Sequence, residues 1–383
     1  MAAGEAMLDV MVLESYHGGS HAAFVDTFMA GSRHRCRLAR LPARKWKWRM
    51  RGAAMWLLFE DRAWLDGPID VLLCSDMLDV AALRAMGPRR LSQTPMVCYF
   101  HENQLTYPLS EHDRRDYQYA VTNITSCLAS DEVWFNSAFH RDSFLSAATA
   151  FIEKMPDYRP RSVIETIRQR SRVVMPGVDM PGGHTSGDPN PVDRHGPPRV
   201  LWCHRWEFDK NPQPFLAAMA KLSRAGIAFE LVLTGEQFRT APPAFAAYRE
   251  VLAPHVVHEG FIEHRAAYLE TVSSCDVVVS SAIQENFGLA VVEAIACGAR
   301  PVLPNRLAYP EIIPQRFHQA CLYESDDRLY DHLRAVLCGD HGAIALPELS
   351  AELRRRFAAD ARVADMDDHL ARVHSRDVAF DSS

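Results

Sequence analysis

Two doubly wound α/β domains facing each other across a cleft are the architecture this sequence predicts. Three observations carry the expectation. Short apolar runs alternate with helical stretches along most of the chain, the runs end in polar residues, and the alternation stops once, at a Pro-, Gly-, Asp- and Ser-rich stretch, before it restarts. Short β-branched runs alternating with helices imply parallel βαβ units with helices on both faces. In such sheets ligands bind beyond the carboxyl ends of the strands.

The first domain is expected over residues 1–178. Its apolar runs at 8–13, 70–74, 96–100 and 132–135 read as strands. They lead into HGGSH, Ser75-Asp76, His101-Glu102-Asn103 and Asn136-Ser137. The punctuated stretch PGVDMPGGHTSGDPNPVDRHGPPR contains a linker, set at 179–198. A second domain follows over 199–345, with strands at 200–203, 229–233, 256–258, 276–279 and 301–303. Residues 346–383 read as terminal helices and a tail.

A length of 383 residues suits two domains, and 48% hydrophobic with 23% charged residues is a globular composition. The net charge of −6 excludes a uniformly basic nucleic-acid coat, so any polyanion contact must be a local patch. The nine cysteines are odd in number, scattered and without a CxxC pair, which points to reduced, mostly buried thiols and away from structural zinc. The first residues, MAAGEAMLDVMVL, are acidic where a signal peptide is basic, and no apolar run reaches membrane-spanning length. A soluble cytoplasmic protein is expected.

Five stretches carry possible chemistry. In QENFGLAVVE, Glu285 and Glu293 flank an expected helix start near Phe287-Gly288, with Gly298 ending the helix. Free amides at a helix start favour a phosphate, and a carboxylate can accept two hydrogen bonds from a vicinal diol. Solvated charges are the plain alternative. In HRWEFDKNP, Arg205 and Lys210 follow a strand and could neutralise a diphosphate, or could simply pair with Glu207 and Asp209. His101 in FHENQLTYP follows a buried strand, as a site residue or a capping histidine; HENQL is not the HExxH of a zinc protease. Gly18 and Gly19 in ESYHGGSH would let backbone amides approach a ligand, or would form a tight turn. In ARKWKWRMR, cations alternate with apolar residues. If extended, Trp46, Trp48 and Met50 share one face, and Lys45, Lys47, Arg49 and Arg51 the other. Such a ribbon suits RNA, or an edge with its tryptophans against the core.

Together and in this order, Gly18-Gly19, His101, Arg205 with Lys210 and Glu285 with Glu293 resemble a GT-B glycosyltransferase of the large retaining group called family four. A closer resemblance lies in GGSH, LPARKWKWR, FHENQLTYP, RRDYQYAVTNITSCLASDEVWFNSAFHRDSF, HRWEFDKNP and YPEI, which are similar to the tRNA-queuosine α-mannosyltransferase family over residues 8 to about 315. That resemblance implies GDP-mannose as donor, the cyclopentene-diol of queuosine in the anticodon loop of tRNA(Asp) as acceptor, retention of configuration and no metal or other cofactor. It implies Glu285 at the donor sugar hydroxyls, Glu293 at the ribose, and Arg205 and Lys210 at the departing diphosphate. Amides near Phe287, Gly288 and Leu289 would assist. His101 would face the sugar, Gly18 and Gly19 would line the donor–acceptor junction, and Arg44, Lys45, Trp46, Lys47, Trp48, Arg49 and Arg51 become candidate tRNA contacts. The chain departs from the wider group at Lys210-Asn211, usually Lys-Gly, and at Met175-Pro176-Gly177-Val178, often Pro-Asn-Gly-Val. A same-fold enzyme with a lipid, glycan or other nucleoside acceptor is the first rival expectation. A non-catalytic RNA-binding protein is the second.

Overall fold

The computed structural model describes residues 7–109, 114–180, 196–237, 242–340 and 344–381. Most of the expected linker, residues 181–195, lies outside them. The chain divides into two compact units: Met1–Gly177 with Ala359–Ser383, and Val178–Ala358. The stretch 346–383, set apart above as terminal helices and a tail, is therefore shared between them.

The first unit carries strands β1 (Asp9–His17), β2 (Arg35–Pro42), β3 (Val71–Ser75), β4 (Met96–Phe100), β5 (Glu132–Phe135) and β6 (Ser171–Val173). They form one parallel sheet in the order β2-β1-β3-β4-β5-β6. Every residue of β3 and β4 is buried, as expected of central strands covered on both faces. Along β1 the side chains alternate. Met11 and Leu13 join a cluster with Leu72, Cys98 and Phe135, while Val10 and Val12 join one with Val71, Tyr99 and Trp134 on the other face. That second face is closed by the last helix, Ala359–Asp381, through Val363, Met366, Leu370 and Val373. Each such side chain contributes roughly 1.5–3 kcal/mol on burial. Polar contacts pin the same helix: Asp367 accepts from Ser32 Oγ at 2.6 Å and from the Arg33 backbone amide at 2.8 Å.

The second unit carries β7 (Arg199–Cys203), β8 (Glu230–Thr234), β9 (Val256–Gly260), β10 (Val277–Val279), β11 (Arg300–Pro304) and β12 (Leu322–Tyr323), parallel in the order β12-β11-β10-β7-β8-β9. Its core includes Trp202, Phe215, Leu231, Val279 and Val302. Two doubly wound α/β units are thus present, as the alternation of runs predicts.

The differences from expectation are local. β1 continues past residue 13 to His17, taking buried Glu14 and Ser15 into the strand. Strands β2, β6 and β12 were not expected. The segment read as a possible extended ribbon is a helix instead. Helix α1 spans Gly19–Gly31, and α2 spans Trp46–Phe59 behind Lys45, whose φ of 57° places it in the left-handed region. Met50, Ala53, Ala54, Leu57 and Leu58 of α2 are buried, a helical spacing that only a helix can place on one side. Of the nine cysteines, all free thiols, seven are buried, Cys36 is half-buried and Cys338 is exposed. Among the described residues no helix is long and apolar enough to cross a membrane.

Candidate functional site

In the first unit the polar tails of β1, β3 and β4 meet. Glu14, near the end of β1 and 1% exposed, uses one carboxylate oxygen to accept from the Tyr16 amide at 2.7 Å and from Ser75 Oγ at 2.9 Å. Its other oxygen lies 3.2 Å from Nδ1 of His21, in the first turn of α1. The His21 ring rests on that of His101, centroids 3.9 Å apart and planes tilted by 32°. His101 follows β4, and its backbone amide donates to Asp76 Oδ1 at 3.0 Å. Asn136 Nδ2, beyond β5, donates to the His101 carbonyl at 3.1 Å.

Burial and charge divide the protons unequally here. Burial opposes a charge on His21, but Glu14, with help from Asp76 and Glu102, outweighs it, and the His21 pKa is pushed up to about 9. Burial, then the neighbouring charges of His21 and His140, holds His101 well below the usual histidine range. Burial pushes the Asp76 carboxyl up to about 8, against the pull of His21. At neutral pH the pair is one imidazolium stacked on one neutral imidazole. Glu14, His21 and His101 each offer a possible ligand atom within 4.8 Å of the others. Glu14, however, is already engaged by the Tyr16 amide, the Ser75 hydroxyl and His21. An ion pair with stacked rings is the better description.

Gly18 and Gly19 form the turn from β1 into α1. Gly18 is extended, with φ 176°, and a Cβ there would lie 2.5 Å from that of Ala43. Gly19 has φ +53°.

In the second unit the loop after β7 is bound to the loop after β10. The backbone amides of Ile283 and Gln284 donate to the Asp209 carbonyl at 2.9 and 3.2 Å, and Ser281 Oγ donates to the Asn211 carbonyl at 2.7 Å. Lys210, 8% exposed, lies in that seam. Its Nζ donates to the Gln284 carbonyl at 2.8 Å and lies 3.3 Å from both Glu285 and Asp209. Burial opposes its charge, but the two carboxylates win and its pKa is raised. Arg205 is more exposed and pairs with Glu207 at 3.0 Å. Asn211, where the wider group has Gly, adopts φ 46° as the cap of helix Pro212–Arg224.

Beyond Glu285 the chain turns at Gly288, φ +91°, into helix Leu289–Ala296, close to the expected bounds, and Gly298 at φ +104° follows its end. Phe287 is 3% exposed, its ring edge-on to Phe357 at 5.2 Å, so only its backbone is available to a ligand. Glu293 lies in the second turn. Its Oε1 accepts from Arg265 at 2.6 Å, and burial, then the Glu293 charge, pushes the Tyr268 hydroxyl well above its usual range. A carboxylate has about four acceptor positions, so capacity remains for a ligand.

Sequence reasoning missed Glu14, His21, Arg265 and Tyr268. The first two stood in view in ESYHGGSH. Arg265 and Tyr268 lie far from Glu293 in sequence and left no local signal. Of the candidate tRNA contacts, Arg44, Lys45, Lys47, Trp48 and Arg51 are exposed and Arg49 is half-buried. Trp46 instead turns inward onto Tyr119, centroids 5.0 Å apart.

Residues 9–178 match the family described as tRNA-queuosine alpha-mannosyltransferase N-terminal, and residues 188–362 match Glycosyl transferases group 1. Among solved structures, the sucrose-phosphate synthase of Thermosynechococcus elongatus superposes with a TM-score of 0.70 at 16% identity, covering 96% of this chain and 100% of that one. Anabaena HepE in complex with UDP gives 0.63 at 13%, covering 95% and 100%. These likenesses support the GT-B fold alone. A Mycobacterium tuberculosis GDP-mannose-dependent alpha-(1-6)-phosphatidylinositol dimannoside mannosyltransferase is 30% identical over 158 residues, 40% of each chain. The tRNA-queuosine alpha-mannosyltransferase of Drosophila melanogaster is 35% identical over 316 residues, 80% of this chain and 82% of that one. On that match and on the N-terminal signature, the chain belongs to the tRNA-queuosine alpha-mannosyltransferase family.

Proposed function

We propose that this protein transfers mannose from GDP-mannose, with retention, to the cyclopentene-diol of queuosine in the anticodon loop of tRNA(Asp), in the cytoplasm. Mannosyl transfer to queuosine in tRNA follows from family membership. The donor, the particular tRNA and the residue roles are the finer part of the proposal. The observation that carries it is the pair of buried Lys210 with half-buried Glu285 at the carboxyl end of a parallel sheet, beside the amides of a helix start.

In this scheme Lys210 and Arg205 take up charge on the departing diphosphate, with the amides of Phe287, Gly288 and Leu289 at its phosphates. Glu285, held by Lys210, accepts from sugar hydroxyls, and Glu293, held by Arg265, accepts from the ribose. Neutral His101 hydrogen-bonds the sugar, with Gly18 and Gly19 at the junction of donor and acceptor. The bond from the anomeric carbon to phosphate breaks, and the bond to the acceptor oxygen forms on the same face. The acceptor proton passes to the leaving phosphate oxygen, so neither a side-chain nucleophile nor a metal is required.

The test is transfer of radiolabelled mannose from GDP-mannose to queuosine-containing tRNA(Asp), with queuosine-free tRNA as control and EDTA-dialysed enzyme throughout. Label confined to the queuosine form, undiminished by EDTA, is expected. Equal labelling of both tRNAs, or of neither, removes the acceptor assignment; loss with EDTA and recovery with a divalent cation removes the metal-free scheme.

A further inference from the structure

Helix α2 is apolar on two opposite sides. Its inner side carries the buried residues named above. Its outer side carries Trp48, Met55, Trp56 and Phe59, exposed by 60, 44, 52 and 61%. At roughly 100° per residue these four fall within an arc of about 100°, along some 16 Å of helix. A water-facing helix side is ordinarily polar, and a contiguous row of large apolar side chains marks a docking surface. Gly52 lies inside the row, and the Trp48 indole covers it: a Cβ at Gly52 would come within 2.7 Å of ring atoms. The ring is laid along the helix and still mostly exposed.

The occupant is indicated by charge. No acidic residue occurs in α2, while Arg44, Lys45, Lys47 and Arg51 are exposed at its beginning. Arg51 lies over the Tyr119 ring at 4.7 Å and pairs with Asp116 at 3.1 Å. Rings beside cations on one strip are the chemistry that holds single-stranded nucleic acid: bases stack on the rings and phosphates meet the cations.

We propose that the outer side of α2 is a stacking platform for unpaired bases of the tRNA acceptor, with Trp48, Trp56 and Phe59 as the rings. It rests on the reading that tRNA is the acceptor, and extends the contact strip beyond Arg51 to Phe59.

The experiment compares the native enzyme with Trp48→Ala, Trp56→Ala and the double variant, with Trp→Phe replacements as conservative controls. Queuosine-tRNA affinity, its salt dependence, GDP affinity and the thermal midpoint are measured together. Each lost stack should weaken tRNA binding roughly five- to hundredfold. The salt slope, GDP affinity and thermal midpoint should stay unchanged, and Phe should restore most of the affinity. Lys47→Ala and Arg51→Ala should lower the salt slope instead. Native tRNA affinity in the double variant overturns the platform while leaving the mannosyltransferase reading standing. If that variant instead loses binding to phosphatidylserine vesicles, or changes from dimer to monomer, with tRNA affinity intact, the surface is a membrane or self-association site. A native enzyme that binds no tRNA overturns both readings.

Discussion

Replacing Glu14 by Gln exchanges one carboxylate oxygen for an amide and keeps the side-chain volume. In the native protein the buried carboxylate, 3.2 Å from His21, outweighs the burial that opposes the imidazolium and lifts the His21 pKa from 6.5 to about 9. That rise corresponds to roughly 3 kcal/mol of preference for the charged form in the folded state. The folded value lies above the unfolded one. The contribution is therefore complete below about pH 6.5 and is lost as pH rises through about 9. Asp76, raised by burial to about 8, adds a loss of the same sign on its own way up. The native thermal midpoint should thus fall by at least 6–12 °C between about pH 6.5 and about pH 9, at roughly 2–4 °C per kcal/mol for a unit of this size. In Glu14→Gln nothing comparable opposes burial, and His21 should become neutral at pH values where the native ring is charged. Proton NMR of the His21 ring through a pH titration, assigned with His21→Gln, separates this effect from that of Asp76. A native His21 resonance that titrates at or below 6.5, or identically in both proteins, would refute the reasoning.

Lys210→Met leaves Glu285 and Asp209 facing one another without their shared cation. We expect kcat to fall about a hundred- to a thousandfold and stability by roughly 3–5 kcal/mol. Because the folded Lys210 pKa is raised, its contribution is complete throughout the neutral range and is lost only as pH rises through that value, so the midpoint deficit should be equal at about pH 6 and about pH 8. A deficit confined to either pH would contradict the ion-pair account. Gly288→Ala puts a side chain at φ +91°, with its Cβ 3.4 Å from Tyr309 and 3.5 Å from Glu285, and should cost about 1–2 kcal/mol while raising the donor KM. An unchanged donor KM would show that this helix start does not meet the donor.

The strands of both sheets were legible where burial on two faces makes the run continuously apolar, as in MVCYF and VLWC. Of the edge strands, β9 was read at 256–258, while β2, β6 and β12 were illegible. In β2, RCRLARLP intersperses cations among apolar residues, so its apolar content alone does not mark a strand. Helix α2 shows how a window misleads: WKWRMR alternates with period two, and the helical spacing of Met50, Ala53, Leu57 and Leu58 emerges only when the window is extended to Phe59. Within the candidate site, residues next to one another on a strand tail or helix start could be read directly, as with Glu285 and Gly288. Glu14 could not, because sequence marks a carboxylate as polar and says nothing of three partners that let it be buried. Nor could Arg265, which finds Glu293 only after folding.

The first unit borrows its closing helix from the far end of the chain, leaving after Gly177 and resuming at Ala359. On the ribosome this inverts the usual order, in which an amino-terminal domain is finished first. Val10, Phe24, Phe28 and Trp134 emerge early, but Val363, Met366, Leu370 and Val373, which cover them, are made more than 200 residues later. At 5–20 residues per second, about eleven to forty-six seconds separate Trp134 from Val363, and about eighteen to seventy separate Val10 from it. Near the end of that interval, once Leu322–Tyr323 has been made, the second unit has all its strands while the first still exposes one face of its sheet. A premature stop near residue 358 would spare the second unit and strand the first, and a nascent-chain chaperone should engage residues 8–28 until the final helix arrives.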